Sequence, residues 1–394
     1  MSAAAQDIEF PHRLVNLEAT RARHGDKADF MARMLAVGDP LADAVIVELD
    51  ELGKEGRRVL NAGLANGLDS LENPPPAIAA LLRQLETVPA WVDHEALLRG
   101  DEASLSIPPL WSNMAFSVGA LVHTYSSPSI ARLLVQSGRL TTLAPRRLLE
   151  TGIWRIHSVL PGGLVRGAPG YVHTVQVRLL HARVRATALQ NGWERERWGV
   201  PINQVDVART WLDFNEVPMR ALETIGITLT QAKQEALYRH WWYVGHLLGL
   251  DEGFFLPVRN HAEAHELLDL VDSTIMPPDE NARALVSALM DATTEMMSSA
   301  KDTPFTRPLA RDLLNALARK FQGDERADAL GIASTPTTSL LPLIAASNAE
   351  LRRWQFHTPQ SEARVLEENG AGYRALAPPL PDGTEYQKHA RTEA

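Results

Sequence analysis

Val175-Gln-Val-Arg178-Leu-Leu-His181-Ala-Arg-Val-Arg185-Ala-Thr-Ala-Leu189 is the stretch whose reading decides the fold. Wound as a helix at about 100° per residue, it sets Val177, Leu180, Val184 and Ala188 on one flank of His181, and Arg178 and Arg185 on the other. The same three- and four-residue spacing of apolar positions runs through Leu41–Leu52, Pro76–Leu85, Ser129–Leu140, Asn203–Phe214, Gln231–Leu250, Ala262–Asp272, Glu280–Met297 and Leu309–Phe321. Breakers separate these runs, chiefly Asn73-Pro-Pro-Pro76 and the loop from Pro161-Gly-Gly163 to Ala168-Pro-Gly170. Ser127-Pro128 marks one helix start, and Thr230 is placed to N-cap a helix beginning at Gln231. Strand-like alternation occurs only briefly, over Tyr171–Val177, where it runs straight into the helical stripe. The expectation is an all-α protein with one large domain and peripheral helices, its polar first and last thirty or so residues forming arms.

Composition narrows the function. The chain has 394 residues, 48 Asp plus Glu against 39 Lys plus Arg, a formal charge of −9 and no cysteine. With 45% hydrophobic and 22% charged residues it can bury a core and is not a disordered chain. The missing cysteines exclude disulfides, thiolate-bound zinc or iron and a covalently tethered c-type haem. No basic stripe stands ready for phosphates, so nucleic acid is not an expected partner. No apolar run approaches the ~18 residues of a membrane span. Met1-Ser-Ala-Ala-Ala5 carries neither the charged nor the hydrophobic part of an export signal, which leaves a cytoplasmic protein or a mature extracellular or periplasmic chain.

The sequence holds no G-x-S-x-G elbow, P-loop or G-x-G-x-x-G turn, and chemistry falls to its histidines. His261-Ala-Glu263-Ala-His265-Glu266 imitates a zinc protease helix, but the acid does not follow the first histidine directly, and an exposed polar helix is the better reading. His240 and His246 sit six residues apart and point about 120° away from each other, so they are no chelating pair. His246, in an aromatic helix, is a second-rank ligand candidate. His181 admits two readings. Hydrocarbon on one side and guanidinium on the other suit the axial ligand of a haem, whose apolar disc carries two propionates. The same pattern suits an amphipathic helix with a histidine at its polar boundary. Thirty residues upstream, Arg147, Glu150 and Thr151 share one face at i, i+3 and i+4, which fits either a polar patch in a pocket or a solvated helix end capped by Gly152.

Arg147-x-x-Glu150-Thr151, followed after thirty residues by His181, resembles the motif of the latex-clearing proteins, rubber oxygenases within the wider family of MpaB-type oxygenases. The segments Val177-Arg-Leu-Leu-His181-Ala-Arg-Val-Arg185, Pro161-Gly-Gly163 and Ala208-Arg-Thr-Trp-Leu-Asp-Phe214 are similar to family sequence as well. The likeness runs from about Asp39 to Asn348, dividing the chain into an arm (1–38), an oxygenase domain (39–348) and a C-terminal extension (349–394). It implies a non-covalent haem b in a globin-like helical core surrounded by further helices. His181 would be the iron ligand, Arg178 and Arg185 partners of the cofactor, and Arg147 and Thr151 part of the polar network beside it. The implied reaction is cleavage of the double bonds of cis-1,4-polyisoprene by O2, leaving aldehyde and ketone ends, by a monomer. The alternatives are a haem oxygenase acting on a small isoprenoid metabolite, and a non-catalytic globin-like haem protein. The chain departs from the pattern at Glu150, where the best-known branch has a lysine able to cap the iron. Glu150 is the candidate for the base that takes an allylic proton.

Overall fold

The computed structural model describes residues 10–136, 140–300 and 303–377, with side chains left undescribed at 140–145 and at Arg147. Helices account for all the regular structure among the described residues. In chain order they are α1 (Leu17–His24), α2 (Asp26–Met34), α3 (Pro40–Asn66), α4 (Pro76–Glu86), α5 (His94–Leu105), α6 (Pro109–Met114), a π-helical turn (Ala115–Leu121) and α7 (Val122–Tyr125). Next come α8 (Pro128–Gln136), α9 (Leu140–Val159), α10 (Pro169–Gln190), α11 (Arg195–Trp198), α12 (Gln204–Thr224), α13 (Gln231–Leu247) and α14 (Glu252–Phe255). The last are α15 (His261–Asp272), α16 (Glu280–Ser299), α17 (Arg307–Gln322), α18 (Asp324–Ala329), α19 (Leu341–Gln355) and α20 (Pro359–Leu376). The all-α expectation holds.

Local chemistry fixes the ends. Asp39 caps α3 by accepting from the Ala42 amide at 3.2 Å, Asn203 caps α12, and Thr230 accepts from the Lys233 amide at the start of α13. Pro169 at the first turn of α10 starts that helix without losing a hydrogen bond. Tyr171–Val177 therefore lies inside α10, not in a strand: its brief alternation comes from a helix buried on most of its circumference. Gly152 does not end α9, which continues in helical conformation to Val159.

Around α10 pack α3 on one side and α9 on the other, while α5 lies along α13 and the π turn sits against α12 and α17. The wider π turn loosens two carbonyls, of Val118 and Gly119, and the buried Gln322 amide of α17 caps both, at 3.1 and 2.7 Å. The segment before Asp39 joins the body. Ala28, Met31 and Leu35 lie in the main core, and the buried Arg13 holds Asp206 of α12 at 2.5 Å. At the other end α20 packs Tyr373 into a smaller cluster with Leu105, Ile153 and Ile156. Both termini thus bury apolar side chains that their polar composition hides. Among the described residues no single helix is long and apolar enough to cross a membrane.

Candidate active site

α9 and α10 run antiparallel, joined by the Pro161 loop. They are pinned where the Trp154 indole donates to the Thr174 hydroxyl at 3.0 Å and His157 meets His173 at 3.2 Å. Gly163 and Gly170 let that loop close on α9, since a Cβ at either would collide with the His157 carbonyl. Continuing the same register away from the loop brings residue 151 level with Val177 and residue 147 level with His181. The faces agree: Arg147, Thr151 and Trp154 share one stripe of α9, and Thr174, Val177, His181 and Val184 share one stripe of α10. Along α10 that stripe is the open one, for Val177, Leu180, His181 and Val184 are each half-buried while the residues around them are mostly buried.

His181 keeps accessible surface yet lies deep in protein. Desolvation, with the nearby Arg185 charge second, pushes its imidazole down to about 4. The ring is therefore neutral at physiological pH, and among the described residues neither nitrogen makes a hydrogen bond. A neutral imidazole with a free lone pair on an apolar, half-open helix face can coordinate iron.

The flanking arginines are engaged. Arg178 donates Nε and Nη2 to Asp39 at 2.6 and 3.0 Å and Nη1 to Gln84 at 2.8 Å. Arg185 donates Nε to Asp43 at 2.8 Å and Nη1 to the Ile202 carbonyl at 2.7 Å, while its buried Nη2 has no partner. Two buried guanidiniums thus fasten α10 to α3, and one N–H pair remains for another anionic group. Asp39 and Asp43 were not singled out from the sequence, because no local pattern links them to residues 139 and 142 positions away.

On α9, position 147 belongs to the helix but the Arg147 side chain lies outside the described residues. Thr151 is half-buried and its hydroxyl makes no hydrogen bond among the described residues. Glu150 accepts from Arg146 Nε at 2.7 Å, one turn back, with 19% of its side chain exposed. One turn beyond Thr151, the buried Arg155 donates to Ser112 Oγ at 3.0 Å and to Asn113 Oδ1 at 3.1 Å, with no carboxylate paired to it among the described residues.

Three of the other candidate histidines, His246, His261 and His265, have polar partners, whereas both ring nitrogens of the buried His240 make no hydrogen bond among the described residues. His246 Nε2 faces the Gln84 amide at 3.2 Å, at the end of a relay from Arg178, and its ring stacks on Tyr243. His240 is buried, 3.3 Å from Asp101, whose carboxyl burial pushes up to about 7 while it accepts from the Gly162 amide. His261 pairs with the Tyr238 hydroxyl at 2.6 Å and His265 lies 3.3 Å from Glu216. Among the described residues no three His, Cys, Asp or Glu side chains converge as metal ligands.

Comparison with known proteins places this geometry. A latex clearing protein solved in the closed state superposes with a TM-score of 0.67 over 88% of this chain and 92% of that one, at 21% identity, a likeness of fold. The rubber oxygenase of Streptomyces sp. (strain K30) is 24% identical over 286 residues, which span 69% of this chain and 66% of that protein's length. The catalytic-domain model described as ER-bound oxygenase mpaB/B'/Rubber oxygenase matches residues 110–354, well over half of the chain and the whole of the α9–α10 pair, and the protein belongs to that family.

Proposed function

We propose that the protein is a haem-dependent oxygenase that cleaves carbon–carbon double bonds of an isoprenoid chain, cis-1,4-polyisoprene first among them, with O2, leaving aldehyde and ketone ends. The observation that carries this reading is the neutral imidazole of His181, without a hydrogen-bond partner among the described residues, in the middle of an apolar, half-open stripe. A single histidine, with no second or third metal-ligating side chain beside it among the described residues, suits an iron held by a macrocycle better than a bare ion. When bound, the haem supplies the oxygen chemistry. The rest of the work falls to the chain. His181 offers a lone pair, Val177, Leu180 and Val184 offer hydrocarbon to an uncharged cofactor face and substrate, and the open Nη2 of Arg185 offers a donor to a propionate. Arg178, each of whose three nitrogens donates to Asp39 or Gln84, acts by holding α10 at a fixed height. On the facing stripe of α9, Thr151 brings a hydroxyl with no hydrogen bond among the described residues and Glu150 the carboxylate proposed to accept an allylic proton, with Arg147 on the same turn.

The purified protein is expected to show a Soret band, and acidified acetone to extract the haem because no cysteine tethers it. His181→Ala is expected to lose most of the haem, with a lower Tm as the stabilisation by bound cofactor is lost. Full haem in His181→Ala together with loss in His246→Ala would overturn the ligand assignment. Oxygen uptake with polyisoprene latex, set against farnesyl-type small molecules, separates the polymer from a small isoprenoid as substrate.

A further inference from the structure

α19 is a fifteen-residue helix that lies largely at the surface. Of its side chains only Leu341 is buried, and four large apolar residues at or along it are exposed: Leu340 by 54%, Leu343 by 67%, Leu351 by 53% and Trp354 by 66%. They fall on one stripe with the exposed Ser347 between them, at −7, −4, +4 and +7 from that serine. Trp354 is the one exposed aromatic ring among the described residues. It is also held in place, its indole donating to Glu350 at 3.0 Å and its ring meeting His357 edge-on at 6.0 Å. A large ring fixed in solvent before any partner arrives has the character of an interface anchor, because little conformational freedom is lost when it is covered.

We infer that α19 is a homodimer interface, in which two copies of this chain pack antiparallel about a twofold axis at Ser347. A twofold interface must be self-complementary, residue i meeting j and j meeting i. The stripe satisfies this by its own symmetry: Leu343 meets the partner copy's Leu351, Leu340 meets its Trp354, and the two small serines let the helices cross closely. The four apolar side chains expose roughly 450 Å² on each copy, so a symmetric pair covers about 900 Å², near the ~1,000 Å² at which specific association begins. Along one edge a pocket of about 160 Å³ between α6 and α19, walled by Leu110, Trp111 and Leu351, adds apolar surface. An area of this size, below that of standard stable interfaces, fits a weak, reversible dimer. The inference does not depend on the proposed reaction.

Sedimentation equilibrium of the full chain tests it. Wild type is expected to approach twice 43.4 kDa as its concentration rises through the micromolar range. Leu343→Glu alone and Leu351→Lys alone are expected to dissociate at least tenfold more readily, with unchanged helical circular dichroism. Mixed together, those two variants are expected to recover a heterodimer, because the antiparallel register sets the new Glu against the new Lys. Wild type at 43.4 kDa throughout, including one that adsorbs to hydrocarbon droplets instead, would overturn the inference. Failure of the mixture to recombine, or pairing of Leu343→Glu with Leu343→Lys, would overturn the register.

Discussion

Glu150 is the residue on which the proposed chemistry turns, since it stands where the resemblance to the best-known branch of the family implies a lysine. Its carboxylate is 2.7 Å from Arg146 and only 19% exposed, so it is neither a free solvent group nor an isolated buried acid. Glu150→Gln keeps the shape and one acceptor but cannot take a proton. The expected outcome is an unchanged haem spectrum with turnover reduced at least 100-fold, read by oxygen uptake. Equal turnover in the variant would remove Glu150 from the mechanism. Thr151 and Arg147 share that turn, and the motif that marks them was legible in the sequence. The pairing of Glu150 with Arg146 was less so, because an i, i+4 spacing permits an ion pair without requiring one.

Two glycines show how helices set their own spacing. Gly152 lies inside α9, and a Cβ there would meet nothing within 4 Å, whereas at Gly100 of α5 it would collide with His240 and the Ala236 carbonyl of α13. Gly152→Ala is therefore expected to stabilise the fold by about 0.5–1 kcal/mol through helix propensity alone. Gly100→Ala should cost about 1–3 kcal/mol by forcing α5 and α13 apart. Urea denaturation of the two variants checks both signs at once. Helical periodicity revealed nine of the twenty described helices, including α10 and α13 with the Thr230 cap, because amphipathic helices repeat their burial every three or four residues. It passed over the rest, among them α5, the π turn, α19 and α20. Gly100, Asp101 and Ser104 are buried at a close helix contact, where small and polar residues replace the apolar stripe that the eye follows. Gly152 misled for the converse reason: a mid-helix glycine reads as a stop unless the open space beside it is known.

At the scale of the molecule, a buried ionic cluster joins elements far apart in sequence. His123 of α7 lies between Asp213 of α12 at 2.6 Å and Asp272 of α15 at 2.9 Å, and Arg209 and the α18 residue Arg326 complete it. The positive charges of His123, Arg209 and Arg326 hold Asp272 well below the usual carboxylate range, outweighing its desolvation. A depressed folded-state pKa contributes stability that is present above the unfolded value of 3.8 and is lost as pH falls through the folded one. Asp272→Asn is accordingly expected to cost about 3–5 kcal/mol at pH 7 by leaving buried cations uncompensated. Urea midpoints measured from pH 7 downward should converge for variant and wild type only below about pH 4. A constant difference across that range would assign the loss to packing instead of charge.

The span of these pairings has a consequence for biosynthesis. Arg13 waits for Asp206, 193 residues later, and Asp39 for Arg178, 139 residues later. A nascent chain halted on the ribosome before α10 emerges holds the acids of α3 with nothing to neutralise them, and it exposes the Met31 and Val45 surfaces that α12 and α10 would help to cover. The helices can coil as they leave the exit tunnel, but no N-terminal half can settle by itself. Its protection until α10 and α12 have emerged then falls to chaperones.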